Sequence, residues 1–166
     1  IDKFGADSLR FTLTAQAAMG RDIKLAESRV EGYRNFGTKL WNAARFCEMN
    51  GCFDSTLSFD PSQAKSPLNK WVVGEVIRAQ ISVTNAIEAY RYNDAAHAIY
   101  HFIWRSFCDW YVELAKPVFQ SGDISQAQET KAAARRALQE AIKLLHPIMP
   151  FVTEELWQFI APNQGF

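Results

Sequence analysis

This chain has no apolar run near the roughly 20 residues that a membrane-spanning helix needs, and no signal-peptide pattern. No membrane partner is expected. Cysteine is scarce: Cys47, Cys52 and Cys108 are the three in 166 residues. Their number is odd and no pair is spaced CxxC, which excludes a disulfide framework and a zinc ribbon. Buried, reduced thiols are expected instead, which suits a cytoplasmic protein. There is no surplus of either charge, with 18 Lys+Arg against 18 Asp+Glu. A protein that coats nucleic acid by charge alone is therefore excluded. A local excess survives: residues 1–46 hold eight cations (Lys3, Arg10, Arg21, Lys24, Arg29, Arg34, Lys39, Arg45) and five acids (Asp2, Asp7, Asp22, Glu27, Glu31). Glycine-rich phosphate loops, Walker patterns, carboxylate pairs at active-site spacing and a Ser/His/Asp arrangement are all missing. No catalytic residue and no metal ligand is assigned.

What is present is apolar and aromatic residues, 48% and 13% of the chain, enough to bury a sizeable core. The length fits one domain, or one domain with a short flanking piece. A start at Ile1 and an end just beyond Pro162 and Gly165 lead to the expectation of a piece of a larger protein. The periodicity is helical throughout, with no alternating run long enough for a real sheet. A first helix is predicted over 6–19, with Leu9, Phe11, Leu13 and Ala17 apolar and Gly20 as its stop. Residues 20–28 alternate and suit a short extended piece, and Ser28 suits an N-cap. A second helix is predicted over 30–50, ending at Gly51. After a loop over 52–65, Ser66 as cap and Pro67 at the first position open a third. Its apolar stripe reads Trp71, Val72, Val76, Ile77, Ile81, Ala86 and Ile87. Asn93 and Asp94 mark a turn and a cap for a helix over 94–115, stopped by Lys116-Pro117. A turn at 121–123 precedes a helix over 124–146. Pro150 opens a last one through Ile160, with Glu154 and Glu155 in its first turn. The expected fold is all-α: a bundle of about five or six amphipathic helices.

The most telling segment is VEGYRNFGTKLWNAARF, residues 30–46. At about 100° per residue it splits cleanly. One side carries Tyr33, Phe36, Leu40, Ala43, Ala44 and Cys47. The other carries Glu31, Arg34, Asn35, Thr38, Lys39, Asn42 and Arg45, with Phe46 falling among them. Cations for phosphate, amides for base edges and a ring for stacking are the mix that recognition of unpaired RNA bases needs. The plain alternative is a solvated helix face with Phe46 covered by a neighbour.

Other features favour structural explanations. His97 and His101 sit at i, i+4, a zinc-compatible spacing, but no third ligand stands at a suitable distance, so a polar face with two partly exposed histidines is expected. His146, before Pro147, is placed to bond terminal carbonyls. Tyr100, Phe102, Ile103, Trp104, Phe107, Trp110, Tyr111 and Leu114 cover more than half of one helix, as a central buried helix does. Trp104 and Tyr111 fall near its polar boundary, with N–H and O–H expected at the rim.

Several strings resemble the class I aminoacyl-tRNA synthetases. GADSLRF (residues 5–11) is similar to the segment after the signature lysine loop. GRDIKLAESRVEGYRNFGTKLWNAARF (20–46) resembles the entry into the anticodon-binding domain of the valyl branch. RYNDAAHAIYHFIWRSFCDWYVELAKP (91–117) and LHPIMPFVTEELWQ (145–158) match later parts of that domain. The isoleucyl and leucyl branches share a version of the last segment and are the alternative; a helical protein-interaction scaffold is the alternative of another class. Ser8 stands where Ala is commoner, and Gly37-Thr38 where Ala-Asn is. A glycine there costs about 1 kcal/mol of helix stability relative to Ala unless it serves close packing.

The resemblance implies a class I anticodon-binding bundle over residues 27–166, preceded by the end of a stem-contact region over 1–26. It implies a parent ligase, monomeric, that joins valine to its tRNA. The partners would be the tRNA anticodon stem-loop and an upstream catalytic domain. This piece would hold no cofactor, ATP and Mg²⁺ being used by the catalytic domain, and would be inactive alone. The location in the helical bundle comes from the resemblance. The roles come from the helical wheel: Arg34, Lys39 and Arg45 on phosphate or bases, Asn35 and Asn42 on base edges, and Phe46 stacking; the resemblance implies that Thr38, where relatives carry Asn, makes a shorter contact.

Overall fold

Backbone chemistry, more than hydroxyl caps, sets where the helices of this chain begin and end. The computed structural model describes residues 1–18, 20 and 22–161. Helix α1 (Ala6–Gln16) starts after Gly5. Helix α2 (Glu27–Met49) starts after extended Ala26. It stops at Gly51, whose φ of +72° turns the chain so that Cys52 N–H donates to the Cys47 carbonyl at 2.9 Å. A short 3₁₀ turn (Pro61–Gln63) leads to α3 (Pro67–Glu88). Then come α4 (Tyr92–His101), a π-helical stretch (Phe102–Tyr111) and α5 (Val112–Gln120), which form one unbroken rod. Helices α6 (Ile124–Leu145) and α7 (Pro150–Ile160) complete the chain. Six helical rods and no strand stand among the described residues, the all-α bundle that the periodicity predicts. No described helix is long and apolar enough to cross a membrane.

Several expected boundaries move. Helix α1 ends at Gln16, and Met19 lies outside the described residues. The described part of 20–28 pairs with no strand; Arg21 lies outside it. Ser28 is inside α2, which begins one residue earlier and uses no side-chain cap. Arg91, not Asn93 or Asp94, flanks the start of α4, after a turn in which Tyr90 takes a φ of +57°. Glu154 and Glu155 lie beyond the first turn of α7, which holds no acid. Pro117 does not stop its helix: the rod runs three residues past it. A proline inside a helix costs about 3 kcal/mol. Burial of Val112 and Ala115 against α6 offsets that loss, as tertiary packing commonly overrides local preference. Upstream, Val112 N–H donates to the Phe107 carbonyl five residues back, the wider turn of the π-helix.

The core starts from an aromatic column. Phe11 of α1 lies 4.6 Å from Tyr33 and 5.2 Å from Phe36 of α2, ring centre to ring centre. Phe36 lies 4.9 Å from Tyr100 of α4, and Tyr100 stacks on Trp104 at 5.5 Å. These tilted and offset geometries suit the ring quadrupoles. Helix α6 buries Ala132, Ala133, Ala134, Ala137 and Ala141, small residues that let neighbouring helices approach closely, with Leu138, Ile142 and Leu145 filling the deeper space. On α3 the buried positions are Val72, Val76, Ala79, Val83 and Ala86; Ile77, Ile81 and Ile87 face outward, contrary to the expected stripe. Tyr111 is fully buried and not at a rim, while Trp110 beside it is 58% exposed. The π-turn changes the angle per residue, so a 100° wheel misplaces the side chains beyond it. All three cysteines are free and buried, as expected, and burial pushes the Cys108 thiol up to about 12.

Two carboxylates cap helices from across the fold. Asp7 of α1 accepts from Phe151 N–H (3.3 Å) and Val152 N–H (2.7 Å) at the start of α7. Arg10, one turn on, donates to the carbonyls of Ile148 (2.9 Å) and Pro147 (3.0 Å). Helix α1 thus clamps the α6–α7 corner. Glu129 of α6 accepts at one oxygen from Lys65 N–H (3.0 Å), Ser66 N–H (3.0 Å) and Asn69 Nδ2 (2.9 Å). Ser66 flanks α3 as predicted, but its hydroxyl makes no cap; Glu129 supplies the anion there. Fully buried Asn69 also donates to Thr130 Oγ1 at 3.1 Å, and its Oδ1 accepts from the Tyr111 hydroxyl at 2.9 Å. Burial opposes ionisation of Glu129, yet the hydrogen bonds from Asn69, Ser66 and Lys65 outweigh it and hold its carboxyl below the usual range. His146, at the C-terminal end of α6, pairs through its Nδ1 with the Thr153 hydroxyl of α7 at 2.9 Å.

Glu129→Ala leaves three donors without their acceptor and is expected to cost about 2 kcal/mol at neutral pH, measured by urea unfolding. A depressed carboxyl contributes its stability above the unfolded value of about 4.3 and loses it as pH falls through the folded value. The gap between wild type and variant should therefore narrow on acidification below about pH 4. At Gly37 a β-carbon would meet Met149 Cε at 3.5 Å, an ordinary contact. Gly37→Ala is accordingly expected to stabilise the chain by about 0.5–1 kcal/mol, seen as a higher urea midpoint with unchanged slope.

Candidate nucleic-acid interface

The rotation of α2 about its axis decides which side chains reach solvent. Val30, Phe36, Leu40, Ala43, Ala44 and Cys47 are buried, and Phe36 is held between Phe11 and Tyr100. That setting turns Arg34, Asn35, Thr38, Asn42 and Arg45 outward, all exposed. Thr38 Oγ1 donates back to the Arg34 carbonyl at 3.2 Å. Arg34, Asn35, Asn42 and Arg45 make no side-chain hydrogen bond or ion pair among the described residues. Two cations and two amides are therefore presented unsatisfied on one surface.

The other two expected site residues are engaged. Lys39 is half-buried: its ammonium pairs with Asp109 of the π-helical stretch and lies 3.9 Å from the centre of the Trp104 ring. Such contacts are individually weak when partly exposed. Phe46 is half-buried rather than an open platform. It packs against the core, with Phe119 of α5 6.1 Å away and Lys116 Nζ 5.7 Å from its ring centre. A neighbouring helix covers part of it, and the rest borders the polar face.

Two aromatic residues near this face are not among the expected site residues. Trp41, 37% exposed, sits three residues after Thr38 and four before Arg45, on their side of the helix. Its place on the wheel, about 20° from Arg34, is the signal that identifies it. Trp104 is half-buried beneath Lys39, and only the meeting of two helices reveals that contact. Burial first, then the neighbouring Asp109 carboxylate, raises the Tyr100 phenol, which stays neutral at physiological pH. His97 and His101 are both exposed. Among the described residues no three His, Cys, Asp or Glu side chains converge to hold a metal ion.

This surface gathers the cations Arg34 and Arg45, the amides Asn35 and Asn42 and the rings of Trp41 and Phe46 on one helix. The chain is similar to known proteins over nearly its full length. It is 59% identical over 165 residues to the valine–tRNA ligase of Rhodopseudomonas palustris, covering 99% of this chain and 17% of that protein. The same identity, length and shares hold for the valine–tRNA ligase of Bradyrhizobium diazoefficiens. With that of Caulobacter vibrioides it is 54% identical over 158 residues, covering 95% of this chain and 17% of that one. The chain thus spans about one sixth of the length of these curated relatives. Its fold matches a chain in the crystal structure of the Agrobacterium radiobacter K84 agnB2 LeuRS–tRNA–LeuAMS ternary complex. The TM-score is 0.72 at 20% identity, over 98% of this chain and 19% of the other. The family described as the anticodon-binding domain of tRNA ligase matches residues 69–165. More than half of the chain lies in that match, so this protein belongs to the anticodon-binding domain family of tRNA ligases.

Proposed function

We propose that this chain is the anticodon-binding module of a valine–tRNA ligase and that the outward face of α2 grips the anticodon stem-loop. One observation carries the reading: in a member of this family, α2 presents Arg34, Asn35, Asn42 and Arg45 together, exposed and unpaired. In this reading Arg34 and Arg45 neutralise phosphate or reach base edges. Lys39 adds charge once it leaves Asp109. Asn35 and Asn42 read base edges with paired donors and acceptors, and Thr38 makes a shorter contact. Phe46 supplies the ring at the Lys116 end of the face.

The aminoacylation itself belongs to sequence beyond the one sixth of the relatives' length matched here, as do ATP and Mg²⁺. The role of this chain is selection: it holds a tRNA whose acceptor end is used by an upstream catalytic domain of the same chain. Residues 1–26 then serve as the end of the stem-contact region and 27–166 as the anticodon bundle. The parent ligase in this reading is a cytoplasmic monomer.

The test is affinity for an RNA hairpin with a valine anticodon loop. Asn42→Ala and Arg34→Ala should each weaken binding, by about 1–2 kcal/mol, without changing helix content. Equal affinity of wild type, Asn42→Ala and Phe46→Ala would remove the site from α2. Binding should weaken as salt rises, with a log–log slope near −0.7 per phosphate contacted. Arg45→Ala should make that slope shallower by about one contact. A salt-independent interaction would point to a protein partner instead.

A further inference from the structure

The aromatic column does not close inside the core. Phe11 and Phe36 are fully buried, Tyr100 is half-buried, and the column ends at Trp104 on the surface between α2 and the π-helical stretch. What lies against that last ring is Lys39, its ammonium 3.9 Å from the ring centre and tied to Asp109. Lys39 is four residues after Asn35 and three before Asn42, so the three form one strip along α2. Both flanking amides are exposed and unpaired. A π-surface thus lies at the middle of that strip, backed by Tyr100 and Phe36 and covered by the Lys39 cation.

We propose that Trp104 is a base-stacking residue of the RNA site and that Lys39, held by Asp109, is the cap that an incoming base displaces. The inference rests on the anticodon-binding reading and adds to it a residue from a second helix. The cap is loosely held: the side chains of Lys39 and Asp109 are 28% and 44% exposed, a range in which ion pairs are weak. Indole is a large flat ring, and stacking on it tolerates any base while the flanking amides choose among them. The displaced ammonium sits on a four-carbon stem, long enough to turn toward the phosphates that arrive with the base. Tyr100, stacked behind at 5.5 Å, keeps the Trp104 ring from yielding as the base docks.

The experiment is a double-mutant cycle on the 166-residue chain. The probes are the valine-anticodon hairpin and three versions of it, each with one anticodon base removed to leave an abasic sugar. Wild type should lose about tenfold in affinity at the position whose base stacks on Trp104. Trp104→Leu should lose about tenfold on the intact hairpin and then be insensitive to that same abasic position. Trp104→Phe, which keeps a ring, should stay within about threefold of wild type. Equal weakening of Trp104→Leu on all four RNAs would mean a purely structural ring and would overturn the proposal. Wild-type affinity of Trp104→Leu on all four would overturn it too, in favour of a ring that serves packing or a protein contact. If Arg34→Ala still weakens binding in that case, the α2 reading survives without Trp104. A wild-type chain that binds none of the hairpins overturns both.

Discussion

The capture of Phe36 between Phe11 and Tyr100 is the constraint on which the exposed polar face of α2 depends. A helix of one turn per 3.6 residues has no preferred rotation of its own; burial chooses it. With Phe36 and Leu40 fully enclosed, α2 cannot turn by even one residue without taking amides and guanidinium groups into the core. Burying such groups without partners costs several kcal/mol each, more than the marginal stability of a small domain tolerates repeatedly. The exposed polar strip is therefore a consequence of the rings behind it.

The second organising element is polar and buried. Asn69, Thr130 and Tyr111 form a closed set in which, among the described residues, no buried side-chain donor or acceptor is left without a partner. Glu129 extends that set to the start of α3, and Asp7 does the same for α7. Both serve where a hydroxyl cap from the same helix would ordinarily act. Anions brought in from other helices fix the ends and, with them, the angles at which α3 and α7 enter the bundle.

Much of this is legible in the sequence. The number of helices, the span of α7, the position of Gly51 and the two faces of α2 come from period and punctuation. The features that stay hidden involve contacts between distant residues. Ser66 looks like its own cap because nothing local announces Glu129. Pro117 looks like a stop because the burial of Val112 and Ala115 on α6 is invisible in a window of one helix. Tyr111 looks like a rim residue because the wider turn before it breaks the assumed 100° step. At the candidate site the same limit applies. The wheel places Arg34, Asn35, Thr38, Asn42 and Arg45 on the open side, where they are. It also places Lys39 and Phe46 there, and each is half-covered by a residue of another helix, Trp104 and Phe119.

The link between Asp7 and the amides of Phe151 and Val152 has a consequence for synthesis. Those groups are 144 and 145 residues apart along the chain. At a translation rate of about 5–20 residues per second, α1 leaves the ribosome on the order of ten seconds before its partner exists. During that interval Phe11 can join α2, but the acid of Asp7 and the guanidinium of Arg10 have nothing to hold. The clasp onto the α6–α7 corner closes after α1 has already packed on α2 and α4. The tie between α1 and α7 is thus the last of the described contacts of α1 to form during synthesis.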